Sequence, residues 1–170
     1  SSLRAGALAA LDEPGAALRV ARDAVSLCRL HQVGAISVWA SPVRVLAAAG
    51  EGEETLGPLG EAHWAPDPPV DVEGVRRCLI ALASVTRRPD AARDAARAAL
   101  ARPAAPVASA AARLEIDAAG VLLRVGEATL AISALQRALS RLDDRLHSAL
   151  VREACRLGRT VSDDRSEEHT

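Results

Sequence analysis

The sequence contains no Phe, Tyr or Met and only two tryptophans, which excludes a core built on large aromatic or flexible thioether side chains. Lys and Asn are missing too, so all 21 basic residues are Arg, the bias of GC-rich coding DNA. What remains for a core is Leu, Val, Ile and abundant Ala, a mixture that favours closely approaching helices over a sheet sandwich. No apolar run approaches the roughly 18 residues of a membrane span, and no charged-then-apolar leader opens the chain. Without Lys the phosphate loop G-x-x-x-x-G-K-[ST] cannot be written. The net charge of −1 gives no reason, by charge alone, to expect contact with nucleic acid or an anionic membrane. Cysteine is scarce: Cys28, Cys78 and Cys155 are odd in number and widely spaced, each within an apolar helical pattern. They are expected to be buried free thiols in a reducing compartment, which makes the chain cytoplasmic.

What is there suffices for one domain: 170 residues, about half of them apolar. The fold class expected is all-α. Leu3 to Leu11 reads as a helix, and Asp12-Glu13-Pro14-Gly15 breaks it and starts a second one that Gly34 ends. That helix carries Ala17, Leu18, Ala21, Ala24, Val25 and Leu27 or Cys28 on one side. A further helix covers Ala35 to Ala49, kinked or restarted at Ser41-Pro42 and closed by Gly50. Glu51 to Ala62 is its weaker partner. Ala65-Pro66-Asp67-Pro68-Pro69 is the clearest loop and the place for any domain boundary. Asp71 caps a helix to about Thr86 with Val72, Val75, Leu79 and Leu82 in a stripe. Arg87-Arg88-Pro89-Asp90 turns the chain into Asp90 to Ala101. A pair over Val107 to Arg124 and Glu127 to Arg141 follows, joined at Val125-Gly126, then a last helix from Asp144 to Leu157 stopped by Gly158.

Small residues recur seven apart just after an interhelical turn: Ala17 with Ala24, Thr55 with Ala62, Ala92 with Ala99 and Ala131 with Ala138, the last pair flanking Leu135. The pattern resembles the tetratricopeptide repeat, whose second helix carries small residues at these two places and whose first carries one near Ala5, Ala119 or, less well, Ile80. The interval exceeds the roughly 34 residues of the standard repeat, and Leu or Ala fills most of the family's large aromatic positions. A generic stack of helical hairpins is the alternative. The resemblance implies antiparallel hairpins stacked as a right-handed solenoid with a terminal capping helix, spanning residues 1–164. It also implies a non-catalytic scaffold for protein interaction. Arg165-Ser166-Glu167-Glu168-His169-Thr170 matches the translation of a sequencing-library adapter and is read as non-native. With Ser1 in place of an initiator Met, this predicts a fragment of a longer chain.

Ala21-Arg22-Asp23-Ala24-Val25-Ser26-Leu27, the turn Arg87-Arg88-Pro89-Asp90-Ala91-Ala92-Arg93 and Ala111-Ala112-Arg113-Leu114-Glu115 resemble the helical arm of large LuxR-type ATP-binding transcription regulators. That resemblance implies an effector-sensing arm between an ATPase module and a DNA-binding helix-turn-helix. Neither module lies in this sequence, so no ATP-site or DNA-contact residue carries over.

Candidate chemistry is sparse. Cys28 and His31 share a helical face, but a structural zinc site needs four ligands, and His63, His147 and Cys155 have no spacing to complete one. Asp143-Asp144 reads as a helix cap, and Glu51, Glu53 and Glu54 as a solvated first turn. Asp90 and Asp94 stand at pairing distance from Arg93 and Arg97. No nucleophile stands beside a base, so no enzyme and no cofactor are expected. Trp39 belongs to the core pattern, and Trp64 is read as a staple holding the proline loop. In a tetratricopeptide frame the groove-facing side of the first helices presents Arg44, Arg77, Arg113 and Arg124. Guanidinium groups bind carboxylates bidentately, so the partner implied is a protein or peptide with an acidic segment or a terminal carboxylate.

Overall fold

Residues 14–61, 64–66, 71–143 and 147–167 are described by the structure, a computed structural model, with side chains described as far as residue 160. The helix expected over Leu3 to Leu11, together with Ala62 and His63, lies outside them. The described residues form eight α-helices and one 3-10 turn, with no strand among them. The helices are α1 (Pro14–Leu30), α2 (Ile36–Ala48), α3 (Leu56–Glu61), α4 (Val72–Ser84), α5 (Pro89–Leu100), α6 (Ala108–Arg124), α7 (Ala128–Arg141) and α8 (Ser148–Glu167). The region expected to be a weak partner helix divides into the 3-10 turn Gly52–Thr55 and the six-residue α3.

Helix ends follow a common chemistry. Gly50 and Gly126 take φ of 78° and 79°. Glu51 N donates to Leu46 O and Glu127 N to Leu122 O, each at 2.8 Å, closing the six-to-one bond of a Schellman cap. At the end of α1 the same motif forms two residues earlier than Gly34. Gln32 adopts φ 47°, and Val33 N donates to Cys28 O at 3.0 Å. A non-glycine residue in the left-handed region costs about 1 kcal/mol, so composition pointed to the wrong residue. Gly158, expected as a stop, lies inside α8, which continues to Glu167. It has none of the positive φ found at Gly50 and Gly126, and an interior glycine weakens a helix without ending it. Pro42 likewise sits inside an unbroken α2, its ring buried.

Packing proceeds between neighbours. Helix α2 lies against α1 and α4; α4 against α5 and α6; α6 against α5, α7 and α8; and α7 against α8. The small residues at seven-residue spacing are all buried where described: Ala17, Ala24, Thr55, Ala92, Ala99, Ala131 and Ala138. Two apolar clusters result, with α4 between them. Leu79 joins Ile36, Trp39, Val43, Leu46 and Leu59 on one side. Cys78 and Ala81 face the other, which is filled largely by alanines of α5, α6 and α7 around Ile116, Val121 and Leu122. A helix buried on two sides explains why the stripe Val72, Val75, Leu79 and Leu82 captures only part of its core face.

The N-terminus of α4 is tied down twice. Asp71 accepts from Gly74 N at 3.1 Å, and its two carboxylate oxygens accept from Arg102 at 2.6 and 2.9 Å. A Cβ on Gly74 would meet the Asp71 carboxylate and lie 2.8 Å from Leu114 Cδ1, so a larger residue here would displace the capping side chain and Leu114. Trp64 meets Trp39 edge to face with ring centroids 5.9 Å apart, and Ala65 N donates to Gly34 O at 3.0 Å. These contacts hold the start of the proline loop against α2, as the staple reading requires. No described helix is long and apolar enough to cross a membrane.

Candidate binding site

Helix α6 carries Arg113, Asp117, Gly120 and Arg124 at intervals of four, three and four residues, which places them along one face. Asp117 is the centre. Its carboxylate is 4% exposed and stands in an otherwise apolar stretch between Ile116 and Ala118. Arg44 of α2 reaches it through Nε at 2.8 Å and Nη2 at 2.6 Å. Arg113, one turn away on α6, donates to the other oxygen from Nε at 3.1 Å and Nη2 at 2.9 Å. Burial alone would raise the Asp117 pKa, but the guanidinium groups of Arg113 and Arg44 hold it below the ordinary carboxylate value. Asp117 is therefore a fixed anion and a poor proton acceptor.

Arg113 has a second partner. Its Nη1 and Nη2 donate to Glu153 of α8 at 2.6 and 3.0 Å, a fork-to-fork pairing. The chain of charges Arg44, Asp117, Arg113, Glu153 thus links α2, α6 and α8. A cleft of about 120 Å³ opens beside it, with Leu82, Ile116 and Leu157 among its apolar lining and Arg124 and Arg156 completing its charged lining. Arg124 and Arg156 are exposed, and neither makes an ion pair among the described residues. Four guanidinium groups therefore line the cleft against two carboxylates. Its chemistry is that of an anion seat.

Of the four arginines expected to share a groove, Arg44, Arg113 and Arg124 line this cleft and Arg77 does not. Arg77 instead donates to Glu73 on its own helix at 2.6 Å. The acids that engage Arg44 and Arg113 escaped the sequence reading. The signal for one was present: a lone Asp in an apolar helix centre, four residues after an Arg, calls for a buried pair. Glu153 lies far along the chain, and no local spacing joins it to Arg113.

Other candidates separate. The Cys28 thiol is buried and its pKa raised by that burial, whereas His31 is exposed. Among the described residues no three metal-binding side chains gather. Cys78 is buried, but Cys155 is exposed, against the expectation of three buried thiols. Arg93 pairs with both Asp90 and Asp94, while Arg97 goes to Glu127 at the N-cap of α7. Glu51 and Glu53 are not merely solvated, since they pair with Arg22 and Arg87. A larger cleft of about 440 Å³ lies between α1, α2 and α3, lined by Cys28, Val33, Trp39 and Pro58 with Arg29 and Glu61 at its polar edge. Trp64 Nε1 is buried without a hydrogen-bond partner.

No family model matches the chain, and no curated protein or solved structure matches it either.

Proposed function

We propose that this chain is a non-catalytic scaffold of tetratricopeptide-like helical repeats that takes an acidic segment of a partner protein in the cleft along α6. The observation that carries the reading is the excess of guanidinium over carboxylate there, with Arg124 and Arg156 exposed and in no ion pair among the described residues. Packing chiefly between neighbouring helices and the buried small-residue pairs support the repeat frame, because an array of hairpins needs close approach at those positions. The partner-binding set under this reading is Arg44, Arg113 and Arg124, with Arg156 in the place first expected for Arg77. The test is a titration of the full chain with an acidic peptide and a neutral peptide of equal length. Binding of the acidic peptide alone, weakened by salt and reduced about tenfold or more by Arg124→Gln with Arg156→Gln, is the expected result. Equal or absent binding of both peptides removes the reading. Circular dichroism checks that the exposed substitutions leave the helices intact.

The 440 Å³ cleft beside Trp39 supports a second reading, an effector-sensing arm, since small-molecule sites have this size and apolar lining. Trp39 and Trp64 are the only aromatic residues, so their fluorescence would report a ligand there directly. A library of small apolar effectors that leaves the emission unchanged would remove this reading.

A further inference from the structure

We propose that Glu153 on α8 is an internal stand-in for the partner's carboxylate, occupying the Arg113 seat until an acidic segment displaces it. The inference rests on the acidic-partner reading above and adds a competition to it.

The two carboxylates on Arg113 are not equivalent. Asp117 is held from both sides, by Arg44 and Arg113, and is 4% exposed, so no ligand reaches it without opening α2 from α6. Among the described residues Glu153 has Arg113 as its only ion-pair partner, and its side chain is 33% exposed. It can swing into water without unpacking a helix, and the hydrated carboxylate loses little, because solvent screens a partly exposed ion pair. What it leaves behind is the outer fork of Arg113, Nη1 and Nη2, already arranged for bidentate capture of a carboxylate.

The unpaired guanidinium groups set the size of the competitor. Arg124 lies eleven residues beyond Arg113 on the same face of α6, a rise of about 16 Å. One carboxylate cannot engage both. An extended peptide advances about 3.3 Å per residue, so acids five positions apart match the span. A single free carboxylate meets only the Arg113 seat and gains no advantage over Glu153. A doubly acidic segment gains Arg124 and Arg156 as well, and that surplus drives the exchange.

The probe is a synthetic peptide with two aspartates five positions apart in an alanine background, titrated into the full chain and its variants. Glu153→Gln removes the competing charge. Glu153→Asp keeps the charge but is one methylene too short to hold the fork. Displacement predicts that both variants bind the probe about two- to fivefold more tightly than the original chain, as expected for removal of a half-exposed pair. Tightening by Glu153→Gln alone would reduce Glu153 to a contributor of general field and overturn the proposal. Affinity unchanged in both variants but lost in Arg124→Gln with Arg156→Gln overturns it while leaving the acidic-partner reading standing. No binding by the original chain or by either Glu153 variant removes both.

Discussion

The two apolar clusters on either side of α4 are built on different principles. The cluster of α1, α2 and α3 uses large side chains: Ile36, Trp39, Leu46, Leu59 and Leu79. The cluster of α5, α6 and α7 uses alanine at most of its buried positions, around Ile116, Val121 and Leu122. Large side chains bury more apolar surface per residue, at about 25 cal/mol per Å², but they keep backbones apart, and the 440 Å³ cleft lies at Trp39. Alanine allows close approach, yet each one buries little, and a cleft of about 320 Å³ opens on this side as well, lined by Ala99, Ala111 and Leu114. The alanine side is where ion pairs tie separate helices and their ends: Arg44 with Asp117, Arg113 with Glu153, Arg137 and Arg141 with Glu115, and Arg97 with Glu127 at the N-cap of α7. A core poor in volume is thus accompanied by fixed charge pairs, two of which line the 120 Å³ cleft along α6.

Substitutions can break this contrast, and the largest effect falls on the Trp side. Trp39→Ala removes a buried indole and its bond from Nε1 to Val33 O at 2.9 Å. It should cost about 4 kcal/mol in a urea melt. Next comes Asp117→Ala, which leaves Arg44 and Arg113 facing each other half-buried. About 3 kcal/mol is expected, and restoration by the double change Arg44→Met with Asp117→Leu would show that the pair confers geometry more than net stability. In the alanine cluster the damaging direction reverses. Ala131→Leu, at a fully buried position, should cost about 2 kcal/mol by overpacking, whereas the same insertion at exposed Ala101 should cost almost nothing.

The smallest effect is acid-dependent and sharpens the comparison at α4. Hydrogen bonding to Arg76 first, and then to Arg77, lowers the Glu73 pKa from 4.5 to about 2, although burial opposes the shift. Arg102, helped by Gly74 N, likewise holds Asp71 below its ordinary value against burial. A carboxylate with a depressed folded pKa contributes stability above its unfolded pKa and loses it as pH falls through the folded one. Stability should therefore decline from about pH 4.5 towards pH 2, and Glu73→Gln should flatten part of that decline. Equal slopes in thermal melts across this range would contradict the assignment.

The contrast was partly legible in the sequence. Seven-residue spacing of small side chains is a local pattern, so Ala92 with Ala99 and Ala131 with Ala138 could be recognised as buried positions. Asp71 as a cap, Gly50 as a helix end and Val125-Gly126 as a turn follow from short-range chemistry in the same way, whereas Pro89, read as part of the turn, is the first residue of α5. Gln32 was not legible, because its left-handed conformation is imposed by the chain turning into α2 and not by its own preference. Nor were the partners of the arginines. A register argument finds which face Arg44 and Arg113 occupy, but pairing with Asp117 and Glu153 depends on helices 40 or more residues apart in sequence meeting in space. Arg77 failed to join the cleft for a local reason, the nearer acid Glu73 one turn behind it.

The three cysteines carry a consequence of their different depths. Cys155 is exposed, Cys28 is buried beside Trp39, and Cys78 is buried on α4 with its Sγ 3.8 Å from Leu114 O. Burial pushes the Cys78 thiol pKa up, so the reactive thiolate is scarce until α4 separates from α6. A thiol-selective reagent would modify Cys155 immediately, Cys28 as fast as the tryptophan side opens, and Cys78 only as fast as the alanine side does. The chain therefore carries its own chemical clock, with one hand for each half and a third to mark the start.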